Sequence, residues 1–170
     1  MDFGKVPIGS ESPEVINVVI EIPRGTSNKI EYDMQMGVFR LDRVLYSPLY
    51  YPCEYGFIAQ TLFEDGDPLD ILVLTTQPTF TGCVLAARPV GLLKMSDDKG
   101  PDDKILGVSA HDPRFWQVRK LDDVAEHLLE EIHHFFAVYK QLEFKEVDLH
   151  GWEPCEAAQE IIRRYTVPTR

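Results

Sequence analysis

Between Val15 and Val108 the chain consists of short β-branched and aromatic runs, with no helical pattern long enough to carry a crossover between parallel strands. Seven runs read as strands: Val15 to Ile22, Lys29 to Asp33, Val38 to Leu45, Tyr55 to Ile58, Leu69 to Leu74, Val84 to Lys94 and Lys104 to Val108. Turn formers separate them, among them Pro23-Arg24-Gly25, Met36-Gly37, Asp65-Gly66, Thr81-Gly82 and Lys99-Gly100-Pro101. Strands joined by tight turns run antiparallel, and the closure that leaves no open edge is a barrel.

The period changes after Leu121. Val124, Leu128, Ile132, Phe135, Phe136 and Tyr139 share one face of a helix that Asp122 or Asp123 can cap, and a second helix is expected from Pro154, presenting Ala158, Ile161, Ile162 and Tyr165. Helices gathered behind a run of strands give an α+β fold, mainly β, with two C-terminal helices packed outside a closed antiparallel barrel. At 170 residues the chain is expected to form one domain, residues 1–170, with a core that needs no staple. Cys53, Cys83 and Cys155 are odd in number and far apart, which suggests neither a disulfide framework nor a zinc site and fits a reducing compartment. The opening residues lack the charged-then-apolar pattern of a signal peptide, and no apolar run reaches the length of a membrane span, so a cytoplasmic protein is expected. A formal net charge of −11 argues against nucleic acid as a partner.

Asp65-Gly66-Asp67-Pro68-Leu69-Asp70 concentrates three carboxylates at the mouth of a strand. Two unit charges ~4 Å apart repel by about 4 kcal/mol at an effective dielectric of ~20, so a cation is expected among them. Oxygen ligands without neighbouring Cys or His suit Mg²⁺, Mn²⁺ or Ca²⁺. The helix-loop-helix Ca²⁺ pattern fails, because its fifth, sixth and twelfth positions fall on Leu69, Asp70 and Thr76. The segment is also what a plain acidic turn looks like, with Pro68 fixing the backbone. A second acidic stretch, Asp97-Asp98-Lys99-Gly100-Pro101-Asp102-Asp103-Lys104, sits at another loop mouth. Closure would let both loops open on one end, although a solvated hairpin reads the same way. Lys29 and Glu31 share a strand face by the two-residue period, and Tyr50-Tyr51-Pro52-Cys53-Glu54-Tyr55-Gly56 is either a substrate clamp or aromatic packing around a turn. An acidic protein can act on an anion when divalent cations lie between them.

Taken in order, these segments resemble the soluble inorganic pyrophosphatases of the first family, bacterial type, from about Val15 to Trp152. The motif Asp, small or polar residue, Asp, Pro, hydrophobic, Asp, hydrophobic runs from Asp65 to Ile71. Around it stand Glu21-Ile22-Pro23, Asn28-Lys29-Ile30-Glu31, Leu41-Asp42-Arg43, Tyr51-Pro52-Cys53-Glu54-Tyr55-Gly56, Arg88-Pro89-Val90-Gly91, and His134-Phe135-Phe136 followed by Tyr139-Lys140. The resemblance implies an OB-like β-barrel and an inorganic diphosphatase that splits pyrophosphate into two phosphates. The attacking water or hydroxide would be activated between Mg²⁺ ions, with no covalent intermediate. Mn²⁺ or Zn²⁺ would substitute and Ca²⁺ would inhibit. It further implies that Asp65, Asp70 and Asp102 hold the tightest metal, with Asp70 bridging to a second. Asp97, Asp102, Glu21 and Glu31 would hold the ions that arrive with substrate. Lys29, Arg43, Tyr55, Lys104, Tyr139 and Lys140 would contact phosphate. Asp67, or in an alternative assignment Asp102, would take the proton.

Two other readings stand beside it, a metal-dependent nucleotide phosphohydrolase and an acidic Ca²⁺-binding module. His127, Glu131 and His134 lie along one side of the long helix, a spacing that suits either a metal or a solvated or subunit-facing surface. The resemblance implies a homohexamer, a dimer of trimers, and His133, His134 and Tyr139 are candidates for its contacts.

Overall fold

The computed structural model describes residues 3–168; Met1 and Asp2, the start of the segment read for a targeting signal, lie outside the described residues. Among the described residues nine strands form in chain order: β1 (Ile16–Ile22), β2 (Asn28–Asp33), β3 (Val38–Val44), β4 (Glu54–Ile58), β5 (Asp70–Leu74), β6 (Val84–Asp97), β7 (Gly100–Pro101), β8 (Lys104–Ser109) and β9 (Val147–Pro154). Two helices follow the strand-rich part, α1 (Glu126–Val138) and α2 (Cys155–Tyr165), so the chain is mainly β with two helices. Among the described residues no helix is long and apolar enough to cross a membrane. Cys53, Cys83 and Cys155 are free thiols.

The main sheet runs β1-β4-β5-β8-β6-β7, and β1 pairs β6 as well, so the ladder returns to its starting strand. β9 pairs the far half of β6, and β2 and β3 form a separate ribbon. One expectation is corrected here. β5 and β8 are parallel, with Ile71 opposite Ile105, because the segment joining them is itself the antiparallel strand β6 instead of a helix. Hydrophobic periodicity carries no information about strand direction, so the sequence could not reveal this pair.

After Asp70, β5 is apolar because both its faces are covered. Ile71 and Val73 pack with Ile16, Ile20 and Ile58 and with Ala158 and Ile162 of α2. Leu72 and Leu74 face the other way, onto Leu106 and Val108 of β8 and Ile132, Phe135 and Phe136 of α1. A small third cluster, Val19, Tyr32 and Phe57, fastens the β2–β3 ribbon to the back of β1 and β4. Burial of this kind stabilises by roughly 25 cal/mol per Å² of apolar surface, which makes these three contacts the main source of rigidity behind the loops.

The helix caps differ from expectation. Asp123 accepts the backbone N–H groups of Arg119 at 2.9 Å and Lys120 at 3.1 Å and so caps a short 3-10 turn, Leu121–Asp123. Val124 is extended and buried, which breaks the chain away from that turn, and α1 begins at Glu126 with no side-chain cap. Pro154 ends β9 and occupies the cap position of α2, whose first residue is Cys155. β9 itself was not expected, since Asp148, His150 and Glu153 give it the look of a polar connection.

At one crossing only glycine fits. A Cβ on Gly56 of β4 would collide with the Val19 carbonyl oxygen and lie 2.9 Å from Ile20 Cα, both backbone atoms of β1. Gly56→Ala should therefore lower stability by about 3 kcal/mol, the upper end of overpacking costs, as measured by urea unfolding. Unchanged stability would show that β1 and β4 can separate freely.

Candidate active site

The ends of β1 and β6, the starts of β5 and β8, the β2 strand and the residues just beyond α1 open on one cavity of about 310 Å³. That is the small end of the usual range for ligand sites. Both acidic loops reach it, as closure of the sheet predicts. Asp65 and Asp67 come from the β4–β5 loop and Asp70 from the first position of β5, while Asp97 ends β6 and Asp102 precedes β8. Glu21 and Glu31 join them from β1 and β2, and Lys29, Tyr55, Lys104, Tyr139 and Lys140 complete the expected group.

At its centre, Lys104 Nζ donates to Asp70 Oδ2 at 2.5 Å and also to Asp102 Oδ1. The lysine side chain is only 2% exposed. Burial pushes its pKa down, but the two carboxylates outweigh burial and hold it well above the usual lysine value, so it stays charged. Tyr55 donates its hydroxyl to the same Asp70 oxygen at 2.6 Å, and its ring lies under the Lys104 ammonium at 5.8 Å. Burial, and then the Asp70 charge, push the Tyr55 hydroxyl well above its ordinary pKa, so it remains a donor.

A second pair forms beside the first. Lys140 Nζ donates to Asp97 Oδ2 at 2.7 Å, and although burial alone would raise the Asp97 pKa, this bond and the Lys99 backbone amide hold it below the usual range. Lys29 Nζ donates to Glu31 Oε1, as the shared strand face predicts. Glu21 accepts the Tyr32 amide at 2.7 Å, yet burial dominates and pushes its pKa up to about 8, with the Asp70 and Glu31 charges adding to the rise. Asp67 is also raised, first by burial and then by the charges of Asp65 and Asp70. The Asp65 carboxylate accepts the Asp67 backbone N–H at 3.0 Å, which fixes the turn between them.

Arg43 does not line the cavity. It lies opposite Lys29 in the β2–β3 ladder, but its guanidinium turns away to Glu143 Oε1 at 2.9 Å and Asp42 Oδ2 at 2.6 Å. Tyr51 lies outside the lining as well. It packs edge-on against Tyr55 at 5.6 Å and against Phe135 at 4.9 Å, so the tyrosine loop is aromatic packing that carries one site residue. Lys99 and Met34 line the cavity without having been expected there, because nothing in their local pattern separates them from solvated loop residues. On α1, His127 lies 3.3 Å from Glu130 and 3.6 Å from Glu131 on an exposed face.

The donor set fits a hard divalent cation. Seven carboxylates face four lysines across the cavity, and all the candidate ligand atoms are carboxylate oxygens. As the side chains stand, no three His, Cys, Asp or Glu among the described residues converge tightly enough to hold a metal. The Lys104 ammonium accounts for this at Asp70 and Asp102, because it already occupies the space between them.

Comparison with known proteins follows the same line. A family model described as inorganic pyrophosphatase matches residues 18–167. The inorganic pyrophosphatase of Geobacillus stearothermophilus is 51% identical over 149 residues, covering 88% of this chain and 90% of that protein. That of Synechocystis is 48% identical over 169 residues, covering 97% and 99%. The crystal structure of the inorganic pyrophosphatase from Thermus thermophilus superposes with a TM-score of 0.95 at 47% identity, covering 98% of this chain and 97% of that one.

Lys104→Met leaves Asp70 and Asp102 facing each other without their cation. Stability should fall by about 3–5 kcal/mol in chelator, the cost of orphaning a buried charge, and saturating Mg²⁺ should recover much of the loss. Chemical denaturation under both conditions checks this, and an equal loss in both would remove Mg²⁺ from these two carboxylates.

Proposed function

The chain belongs to the inorganic pyrophosphatase family and hydrolyses inorganic pyrophosphate to two phosphates, and on that premise we propose that the acidic cavity is where the reaction occurs, with Asp67 accepting the proton. The observation that carries this reading is the excess of carboxylates over lysines in a cavity that must accept a polyanion. Such a site repels pyrophosphate unless divalent cations accompany it.

Asp65, Asp70 and Asp102 would hold the tightest cation, with Asp70 shared with a second. Asp97 and Asp102, together with Glu21 and Glu31 directly or through water, would hold those that enter with substrate. Bound Mg²⁺ supplies charge neutralisation and a more acidic water, with Mn²⁺ or Zn²⁺ as substitutes. Lys29, Lys104, Lys140, Tyr55 and Tyr139 bind and orient the phosphates. Arg43 joins them once it exchanges Glu143 for a phosphate oxygen. Asp67 holds the attacking water by accepting its hydrogen bond and takes its proton, and the raised pKa of its carboxyl suits it to that work. Asp102 is the alternative acceptor, but it is already paired with Lys104, which favours Asp67. Among the described residues no Ser, Thr, Cys or His lines the cavity, and its carboxylates are engaged in this reading with cations and water, which supports direct attack by water without a covalent intermediate.

The ladder that returns from β6 to β1 supports a closed OB-like barrel for β1, β4, β5, β8 and β6, within one domain over residues 1–170. We read the protein as cytoplasmic and as a homohexamer, a dimer of trimers. Exposed Trp116, Phe80 and Phe144 supply apolar surface for such an assembly. Tyr139 is 4% exposed and faces the core and the cavity, so it is not one of the subunit contacts. Light scattering at pH 8 should give a mass near six chains, and a monomer would overturn the assembly.

With Mg²⁺, phosphate release from pyrophosphate should far exceed that from ATP or nitrophenyl phosphate, and chelator or Ca²⁺ should suppress it. Comparable hydrolysis of ATP would instead favour a nucleotide phosphohydrolase. Asp67→Asn should cut turnover by about 10²–10⁴ with Mg²⁺ affinity nearly intact, while Asp70→Asn should weaken both. Calorimetric Mg²⁺ titration separates the two roles, and equal affinities would contradict the division.

A further inference from the structure

Asp103 stands between two residues of the cavity wall and faces away from the cavity. Its neighbours Asp102 and Lys104 pair with each other on the cavity side, as the two-residue period of an extended chain requires. The Asp103 carboxylate points back at β6, where Oδ1 accepts the Met95 backbone N–H at 3.2 Å and Oδ2 accepts Lys94 Nζ at 2.5 Å. It is 4% exposed, far more buried than an ordinary loop aspartate.

These bonds fall where the backbone ladder fails. Pairing of β6 with β8 runs out at Leu93 opposite Lys104, and pairing of β6 with β7 resumes only at Ser96 opposite Pro101. In the gap, Asp102 N–H donates to the Met95 carbonyl at 2.9 Å, and the Asp103 side chain takes the Met95 N–H in place of a backbone carbonyl. Met95 is buried, so without Asp103 its amide would be an unpaired donor and the gap would lose one of the bonds that hold it to β6.

We infer that Asp103 is a positioning residue for the hydrolytic site. By replacing the missing rung it fixes the backbone from which Asp102 and Lys104 reach the cavity, and with it the spacing between Asp97 at the end of β6 and Asp102. The inference rests on the reading of Asp102 as a metal ligand. Groups that orient metal ligands from behind commonly change metal affinity or activity by about 10- to 100-fold when removed.

Calorimetric titration with Mg²⁺ in the absence of substrate tests it, alongside the Mg²⁺ dependence of phosphate release. Asp103→Ala should weaken Mg²⁺ binding about 10- to 100-fold and shift the half-saturating Mg²⁺ concentration upward. Asp103→Asn should recover part of the lost binding, because its Oδ1 still accepts the Met95 amide while its Nδ2 cannot accept from Lys94. An Asp103→Ala protein that binds Mg²⁺ normally and loses only thermal stability would overturn the inference, as would an Asn variant no better than Ala. Should Asp103→Ala not fold, Lys94→Met carries the test by removing one of the two anchors of the carboxylate, and unchanged Mg²⁺ binding there also overturns it. Asp102→Asn separates the two layers of the argument. If it too binds Mg²⁺ normally, the reading of Asp102 fails and takes the inference with it. If only Asp103→Ala is silent, the inference alone fails.

Discussion

A buried ammonium between two carboxylates holds the functional end of this protein together. Lys104 is contributed by the first residue of β8 and Asp70 by the first residue of β5, and the parallel pairing of those strands sets the two side by side. Taking such charges out of water is costly, and the arrangement survives only when the remaining lone pairs and protons are also satisfied. Tyr55 meets that condition from β4, donating to Asp70 while its ring faces the lysine. Three strands thus share one ionic knot, and burial makes protons bind more tightly than usual both within it, at Asp102, and beside it, at Glu21 and Asp67.

Behind the knot the packing serves to keep it still. The side chains of β5 alternate between two apolar clusters, one closed by α2 and the other by α1. The second cluster continues through Phe135 and Phe136 to Tyr139, so the helix that covers the sheet also delivers Tyr139 and Lys140 to the cavity at its C-terminal end. Tyr51 connects that aromatic group to Tyr55. Phosphate-contact candidates from opposite ends of the chain therefore lean on the same rings.

Much of this was legible in the sequence, for a specific reason. Acidic residues crowded at the mouths of strands are costly without a purpose, and Asp65, Asp67, Asp70, Asp97 and Asp102 do share one cavity. The two-residue period correctly placed Lys29 with Glu31. What escaped had no local signature. Strand direction left no mark on β5 and β8. β9 alternates weakly and bends at Gly151, whose φ of +97° interrupts the extended pattern. Asp123 is a good helix cap by type but is committed to the preceding turn. Arg43 is held aside by Glu143, one hundred positions away in sequence, and Asp103 looks like one more charge in an acidic loop until its burial is seen.

The length of β6 bears on how the molecule is made. Its 14 residues pair with β1 near the start of the chain and with β9 near its end, with Ile16 opposite Ala87 and Gly91 opposite Pro154. A chain emerging from the ribosome can lay β6 against β1 and β8 early, but the edge that carries Asp97 stays unpaired on its outer side until β9 has been synthesised. Contacts so distant in sequence close slowly, because the loop entropy is lost before the contact forms. Pairing at the acidic end thereby waits for β9, and one of the two apolar clusters behind it waits longer still, for α2.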